Sequence, residues 1–290
     1  MLCGFRMCAL PFVKMEAVGN DFVLVDGRDL PEHAWSKLAV EMCRRRTGVG
    51  SDGLLVLLNS GTADFRMRMF NPDGSEDHCG NGLRCTAAYY SSVEGIPPNV
   101  VLRVETLAGE RSVVVLDPGP PALVKASMGR PELHPSLIPA NFDGESVVRR
   151  HLRVLDRDLE VTSLSVGTTH TVVFAPEAQW ERDFALLSPA IEVHPAYPER
   201  TSVLWTDVIR PDRIAVRIWE RGVGETLGCG TGACAVAAAA RLAGFTVDSR
   251  VEVVSRGGSL YVEWDGEGEI FLIGPARFVF KGEWPPTSKS

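Results

Sequence analysis

This 290-residue chain repeats itself, and that repeat limits its fold more than any other feature. Around Cys79 it reads His78-Cys79-Gly80-Asn81-Gly82, then Ala87-Ala88. Around Cys229 it reads Gly228-Cys229-Gly230-Thr231-Gly232, then Ala237-Ala238. Cysteine, both glycines and both alanines keep their offsets at a shift of 150 residues (229 − 79). Val18-Gly19-Asn20-Asp21-Phe22 resembles Val166-Gly167-Thr168-Thr169-His170 at a shift of 148 (167 − 19). Val104 to Gly109, followed by Val113-Val114-Val115, resembles Val253 to Gly258, followed by Tyr261-Val262-Glu263, at a shift of 149 (258 − 109). Three landmarks in one order at nearly one shift imply two homologous halves, each with its own core. The expected division is residues 1–126 and 127–275, with the tail 276–290 packing back on the first half.

Each half has the same local grammar. Asp64 to Phe70 and Arg213 to Trp219 alternate polar and apolar residues, as strands with one buried face do. A turn rich in glycine and acids follows, at Asn71 to Glu76 and at Glu220 to Glu225. Then come the cysteine and a helix. The second such helix, from Ala233, has no polar side chain apart from Cys234 until Arg241, so it is expected to be buried on all sides. The expected fold is α+β, with two pseudo-symmetric domains facing each other, each a curved mixed sheet wrapped around a central helix. An outer amphipathic helix is expected over Pro31 to Arg45, capped by Asp29. The regular βαβ alternation and glycine fingerprint of a doubly wound nucleotide fold are missing.

Composition narrows the function. A net charge of −7 argues against nucleic acid as a partner, and no apolar run is long enough to span a bilayer. The N-terminal MLCGFRMCALP is too short for a secretory signal. Seven cysteines, an odd number without tight spacing, do not form a disulfide framework, and the lack of a C-x-x-C pair argues against structural zinc. A reducing cytoplasm fits best, with a small-molecule amino-acid substrate as partner; a homodimer is compatible.

Cys79 and Cys229 each stand at an expected helix N-terminus, where free N–H groups and the helix dipole favour negative charge. A thiol there can fall from a pKa of about 8.5 to roughly 3.5–7.5. The flanking glycines let a ligand approach the backbone, and the same N–H groups can hold a carboxylate. Two such loops suit a reaction that removes a proton from one face of a carbon and returns one to the other, needing neither metal nor cofactor. Cys85 and Cys234, inside the helices, are expected to be ordinary buried residues.

The segments Gly19 to Phe22, Thr47 to Gly53, Asn71 to Glu76, Cys79 to Cys85, Glu220 to Thr226, Cys229 to Ala233 and the closing Gly274-Pro275-Ala276 resemble the diaminopimelate epimerase family over nearly the whole chain. The resemblance implies pyridoxal-independent interconversion of LL- and meso-2,6-diaminopimelate, in lysine and peptidoglycan synthesis. It implies Cys79 and Cys229 as the catalytic cysteines, with His170 and Glu220 holding the reacting end near them. It implies Gly80-Asn81 and Gly230-Thr231 as backbone clamps on the reacting carboxylate, and Asn20, Asn71 and Arg221 as substrate-binding positions. Thr168 and Ser202 stand where the family commonly has asparagines that hold the distal end of the substrate. A hydroxyl offers fewer hydrogen bonds than an amide, so a sister amino-acid racemase, acting on a histidine or proline-like substrate, is the alternative. A non-catalytic binding or metal protein, and a phenazine-synthesis-type isomerase lacking the cysteine pair, fit less well.

Overall fold

The computed structural model describes residues 9–30 and 34–285. The chain divides into two compact units, residues 1–123 with 276–290, and residues 124–275.

The first unit runs β1 (Leu10–Ala17), β2 (Asn20–Asp26), α1 (Trp35–Met42), β3 (Gly53–Leu58), β4 (Phe65–Phe70), β5 (Glu76–Asp77), α2 (Gly80–Glu94), β6 (Val101–Thr106) and β7 (Gly109–Asp117). The next strand, β8 (Ala122–Ser127), carries the chain over the boundary. The second unit continues with β9 (Val147–Val154), β10 (Arg157–Ser165), β11 (Thr169–Phe174), α3 (Glu177–Glu192), β12 (Ser202–Arg210), β13 (Arg213–Glu220), β14 (Gly224–Thr226), α4 (Gly230–Leu242), β15 (Arg250–Ser255), β16 (Gly258–Glu263) and β17 (Phe271–Trp284). From Ala276 onward β17 belongs to the first unit, where its residues Arg277 to Trp284 pair antiparallel with β1.

The repeat in the sequence is a repeat in pairing. In the first unit β1 and β2 form an antiparallel hairpin, β2 lies parallel to β3, β3 antiparallel to β4, β4 parallel to β6, and β6 antiparallel to β7. In the second unit β10, β11, β12, β13, β15 and β16 follow the same succession. Each parallel step needs a crossover, and the helices supply them: α1 and α2 in one unit, α3 and α4 in the other.

The two crossover helices of each unit lie in different places. In the first unit, α1 packs Trp35, Ala39 and Met42 against Val23, Val25, Leu54 and Val56. By contrast, α2 touches β1, β2, β3, β4 and β7, and α4 touches β10, β11, β12, β13, β15 and β16. A helix met by strands all round needs small side chains, and Ala233 to Ala240 of α4 are all buried. The strand β3, Gly-Leu-Leu-Val-Leu-Leu, is buried at five consecutive residues because helices cover both its faces.

The outer helix α1 is shorter than expected, spanning Trp35–Met42 instead of Pro31 to Arg45, and residues 31–33 lie outside the described residues. Asp29 does not cap it: the N-cap is Ala34, with no side-chain bond. At the other end the chain doubles back, and Gly50 N–H and Ser51 N–H take the carbonyls of Met42 and Cys43 at 2.9 and 3.1 Å. A Cβ at Gly48 would lie 2.3 Å from the Glu41 carbonyl oxygen, so only glycine permits that return.

Candidate active site

Each cysteine is the N-cap of its unit's central helix. Cys79 has extended backbone angles (φ −148°, ψ 113°) and its sulfur accepts from Gly82 N–H at 3.3 Å. Cys229 has the same role (φ −134°, ψ 120°), accepting from Gly232 N–H at 3.4 Å. Ser, Thr, Asp and Asn usually do this work; here a thiol sulfur takes their place. Gly82 and Gly232 lie tightly packed under the folded-over thiols: a Cβ at Gly82 would lie 2.6 Å from a Leu55 methyl and one at Gly232 3.2 Å from the Cys229 Cβ. The N–H groups of Gly80, Asn81, Gly230 and Thr231 fall in the first helical turns, where no carbonyl of the same helix can take them. Each unit therefore presents a sulfur beside a set of N–H donors suited to an anion.

In the first unit, Asn20 meets Asn81, two residues after Cys79. Asn20 opens β2 after a two-residue hairpin turn in which Val18 (φ 55°) and Gly19 (φ 80°) both have positive φ. A β-branched residue in that region is strained; the turn itself, closed by the Ala17–Asn20 pair, sets where Asn20 emerges. The Asn20 amide donates to Asp52 Oδ2 at 2.7 Å, and Asn81 Nδ2 donates to Asn20 Oδ1 at 3.4 Å. Asn71 follows β4 and donates to Ser75 Oγ at 3.1 Å.

In the second unit, His170 on β11 lies opposite Ser202 on the parallel β12, and Val203 pairs with Trp219 on β13, just before Glu220 and Arg221. The strand register thus brings His170, Ser202, Glu220 and Arg221 to one end of the sheet. His170 Nε2 lies 3.2 Å from Thr168 Oγ1, and Nδ1 is buried with no hydrogen-bond partner. Ser202 Oγ accepts from Arg221 N–H at 3.1 Å, and Arg221 Nη1 donates to the Glu199 carbonyl at 3.0 Å. Both hydroxyls at the departing positions, Thr168 and Ser202, are therefore engaged with His170 and the Arg221 backbone. Glu220 accepts from Thr226 Oγ1 at 2.6 Å, and Thr231 Oγ1 lies 3.3 Å from the Cys229 sulfur.

The electrostatics correct one expectation. Burial pushes the Cys229 thiol up, and the Glu220 carboxylate pushes it further; the Thr231 hydroxyl and Gly232 N–H oppose them without prevailing. Cys229 is thus a thiol at neutral pH, because desolvation and a neighbouring anion outweigh the helix N-terminus. Burial, helped by Arg221, drives His170 down to about 3, so its imidazole is neutral. Cys85 and Cys234 are fully buried inside the helices, and burial also raises the Cys85 thiol.

Several supporting residues had no role assigned from the sequence, although Asp52 and Arg84 lie within the segments that resemble the family. Glu192, 7 % exposed at the end of α3, takes Gly222 N–H at 2.8 Å and Trp219 Nε1 at 2.7 Å, anchoring the turn that carries Arg221. Asp52 holds Asn20, and Arg84, fully buried, donates to Asn81 Oδ1 at 2.8 Å. Cys43, Cys79, Cys85, Cys229 and Cys234 are not in disulfides; Cys3 and Cys8 lie outside the described residues. Among the described residues, no cluster of three or more His, Cys, Asp or Glu side chains is arranged to hold a metal ion, and no helix is long and apolar enough to cross a membrane.

The family model described as diaminopimelate epimerase matches residues 12–134 and 162–279. A diaminopimelate epimerase of Desulforudis audaxviator is 46 % identical over 279 residues, covering 95 % of this chain and 99 % of that protein. One from Carboxydothermus hydrogenoformans is 42 % identical over 279 residues, with 95 % and 99 % covered. Among solved structures, a Bacillus anthracis phenazine biosynthesis protein of the PhzF family is similar in fold, at a TM-score of 0.69 and 21 % identity over 95 % of this chain and 99 % of that one. A probable proline racemase from Agrobacterium radiobacter gives a TM-score of 0.66 at 15 % identity, with 94 % and 92 % covered.

Proposed function

Because the chain belongs to the diaminopimelate epimerase family, we propose that it interconverts LL- and meso-2,6-diaminopimelate by passing protons through Cys79 and Cys229. The observation that carries this reading is that each unit caps its buried central helix with a cysteine sulfur, beside N–H groups that no helical carbonyl satisfies.

Cys229, held as a thiol by burial and Glu220, is the proton donor in one direction. Cys79 as thiolate takes the α-proton: the Cα–H bond breaks and an S–H bond forms at Cys79. The electron pair spreads into the substrate carboxylate, where N–H groups of Gly80, Asn81, Gly230 and Thr231 stabilise the growing charge. The Cys229 S–H bond then breaks as a new Cα–H bond forms on the other face. The product leaves with the thiol and thiolate roles exchanged, and the reverse reaction runs the steps backward.

His170 and Glu220 hold the reacting end. A neutral imidazole beside a carboxylate can accept from, or donate to, the substrate ammonium and carboxylate without adding a second cation. Asn20, Asn71 and Arg221 read the distal centre, with Thr168 and Ser202 supporting His170 and the Arg221 turn. The reaction proceeds in the cytoplasm, where reducing conditions keep the thiols free, and serves lysine and peptidoglycan synthesis.

The test is to incubate purified protein with LL-diaminopimelate, without added pyridoxal phosphate or metal, and to follow the meso isomer by chiral chromatography beside histidine, proline, lysine and glutamate. Preferential conversion of diaminopimelate is expected. Equal or faster racemisation of a monocarboxylic amino acid would overturn the substrate assignment.

A further inference from the structure

We propose that Asp52 and Arg84 are positioning residues that set which way two amides at the site, Asn20 and Asn81, point; this rests on the reading that Asn20 meets the substrate.

Four side chains form one line of hydrogen bonds in the first unit. Arg84 Nη2 donates to Asn81 Oδ1 at 2.8 Å, Asn81 Nδ2 donates to Asn20 Oδ1 at 3.4 Å, and Asn20 Nδ2 donates to Asp52 Oδ2 at 2.7 Å. An asparagine amide can turn over and exchange donor for acceptor at little cost in shape. The ends of this line cannot. A guanidinium only donates and an ionised carboxylate only accepts. Reversing Asn20 would set its oxygen against the Asp52 carboxylate, and reversing Asn81 would set its NH₂ against the Arg84 guanidinium. Either would leave like groups facing each other, at a cost the buried Arg84 (0 % exposed) cannot shed to water.

Both ends are anchored from outside the line. Asp52 Oδ1 accepts from Arg45 Nη2 at 2.6 Å, and Asp52 Oδ2 also takes Asp21 N–H at 3.0 Å. Arg45 bridges on to Asp21 at 2.7 Å, and Lys14 pairs with Asp21 and the Gly50 carbonyl. Arg84 also reaches the Gly80 carbonyl at 3.5 Å, in the turn that carries Cys79. Each amide keeps one N–H and one lone pair beyond the line. With the ends fixed, these spare groups have a set orientation before substrate arrives, so binding need not include the cost of sorting amide orientations.

The test compares Asp52→Asn, Arg84→Lys and Arg45→Gln with wild type. Asp52→Asn puts a donor beside Asn20 where only an acceptor stood and removes the Asp52 hold on Asn20, to which Asn81 donates, while Arg84 still meets Asn81. Arg45→Gln removes the outer ion pair of Asp52 but leaves the line intact. With diaminopimelate, Asp52→Asn and Arg84→Lys are expected to raise KM about tenfold while kcat stays within about twofold. Arg45→Gln is expected to keep KM within about twofold of wild type. A second readout does not depend on turnover or on Arg84→Lys folding. In protein labelled with nitrogen-15 asparagine, the side-chain NH₂ signals of Asn20 and Asn81 should both move in Asp52→Asn, while those of Asn59, Asn99 and Asn141 stay. Stationary Asn20 and Asn81 signals, or an equal rise in KM in Arg45→Gln, would overturn the proposal. A wild-type protein inactive on diaminopimelate would instead overturn the substrate reading, and the amide spectrum would still decide the orientation.

Discussion

His170 makes stability depend on pH in a way its environment dictates. It is 1 % exposed, its Nδ1 has no partner, and burial with Arg221 nearby depresses its pKa to about 3. An unfolded histidine titrates near about 6.5. Between these values the unfolded chain binds a proton at this residue and the folded chain does not. Stability from His170 is therefore complete above about pH 6.5 and falls as pH drops towards about 3. Each pH unit in that window is worth about 1.4 kcal/mol, so lowering the pH from about 7.5 to about 5 should remove about 2 kcal/mol. Carboxylates titrate too, and His170→Asn isolates the histidine. The assay is urea unfolding of wild type and His170→Asn at both pH values, followed by tryptophan fluorescence. The stability gap between the two proteins is expected to shift by about 2 kcal/mol against wild type on going to the lower pH. A gap of the same size at both pH values would refute the buried, neutral imidazole.

Other outcomes are expected. Cys79→Ala and Cys229→Ala should each abolish turnover of diaminopimelate, while Cys85→Ala and Cys234→Ala, changed where the thiol is buried inside a helix, should keep most of it. Glu220→Gln removes the anion that helps hold Cys229 protonated, so iodoacetamide should label Cys229 at lower pH than in wild type, as read by peptide mass spectrometry. Arg221→Ala should lower kcat/KM for diaminopimelate by a factor corresponding to about 1.5–3 kcal/mol, because the distal carboxylate loses a charge-assisted partner. Ala239→Leu, in the part of α4 surrounded by strands, should cost about 1–3 kcal/mol through overpacking and should be visible as a lower denaturation midpoint.

The fold was legible because the repeat in residues became a repeat in hydrogen bonding. The apolar run from Ala233 has no polar face, and the only place for such a helix is inside its sheet. The Cys-Gly-x-Gly pattern likewise led to a helix N-cap. Three things were not legible. The length of α1 depends on Gly50 and Ser51 returning to its last carbonyls, a contact between loop and helix end that periodicity does not carry. The state of Cys229 depends on Glu220, nine residues earlier in sequence, and on burial; a helix-terminus argument alone points the other way. Glu192 looks like an ordinary charged residue in sequence, and Asp52 and Arg84 sit inside the matched segments without showing what they hold; their importance lies in holding the Arg221 turn, Asn20 and Asn81.

Isotope transfer tests the two-thiol account most directly. A thiolate that takes a proton becomes a thiol with a single S–H, so in D₂O the abstracted α-proton stays on one cysteine while deuterium arrives from the other. LL-diaminopimelate converted in D₂O and sampled early should give meso product carrying deuterium at the inverted carbon, with recovered substrate still protonated there. Deuterium entering recovered substrate as fast as product, or product that keeps its original proton, would contradict the assignment of Cys79 and Cys229 as separate base and acid.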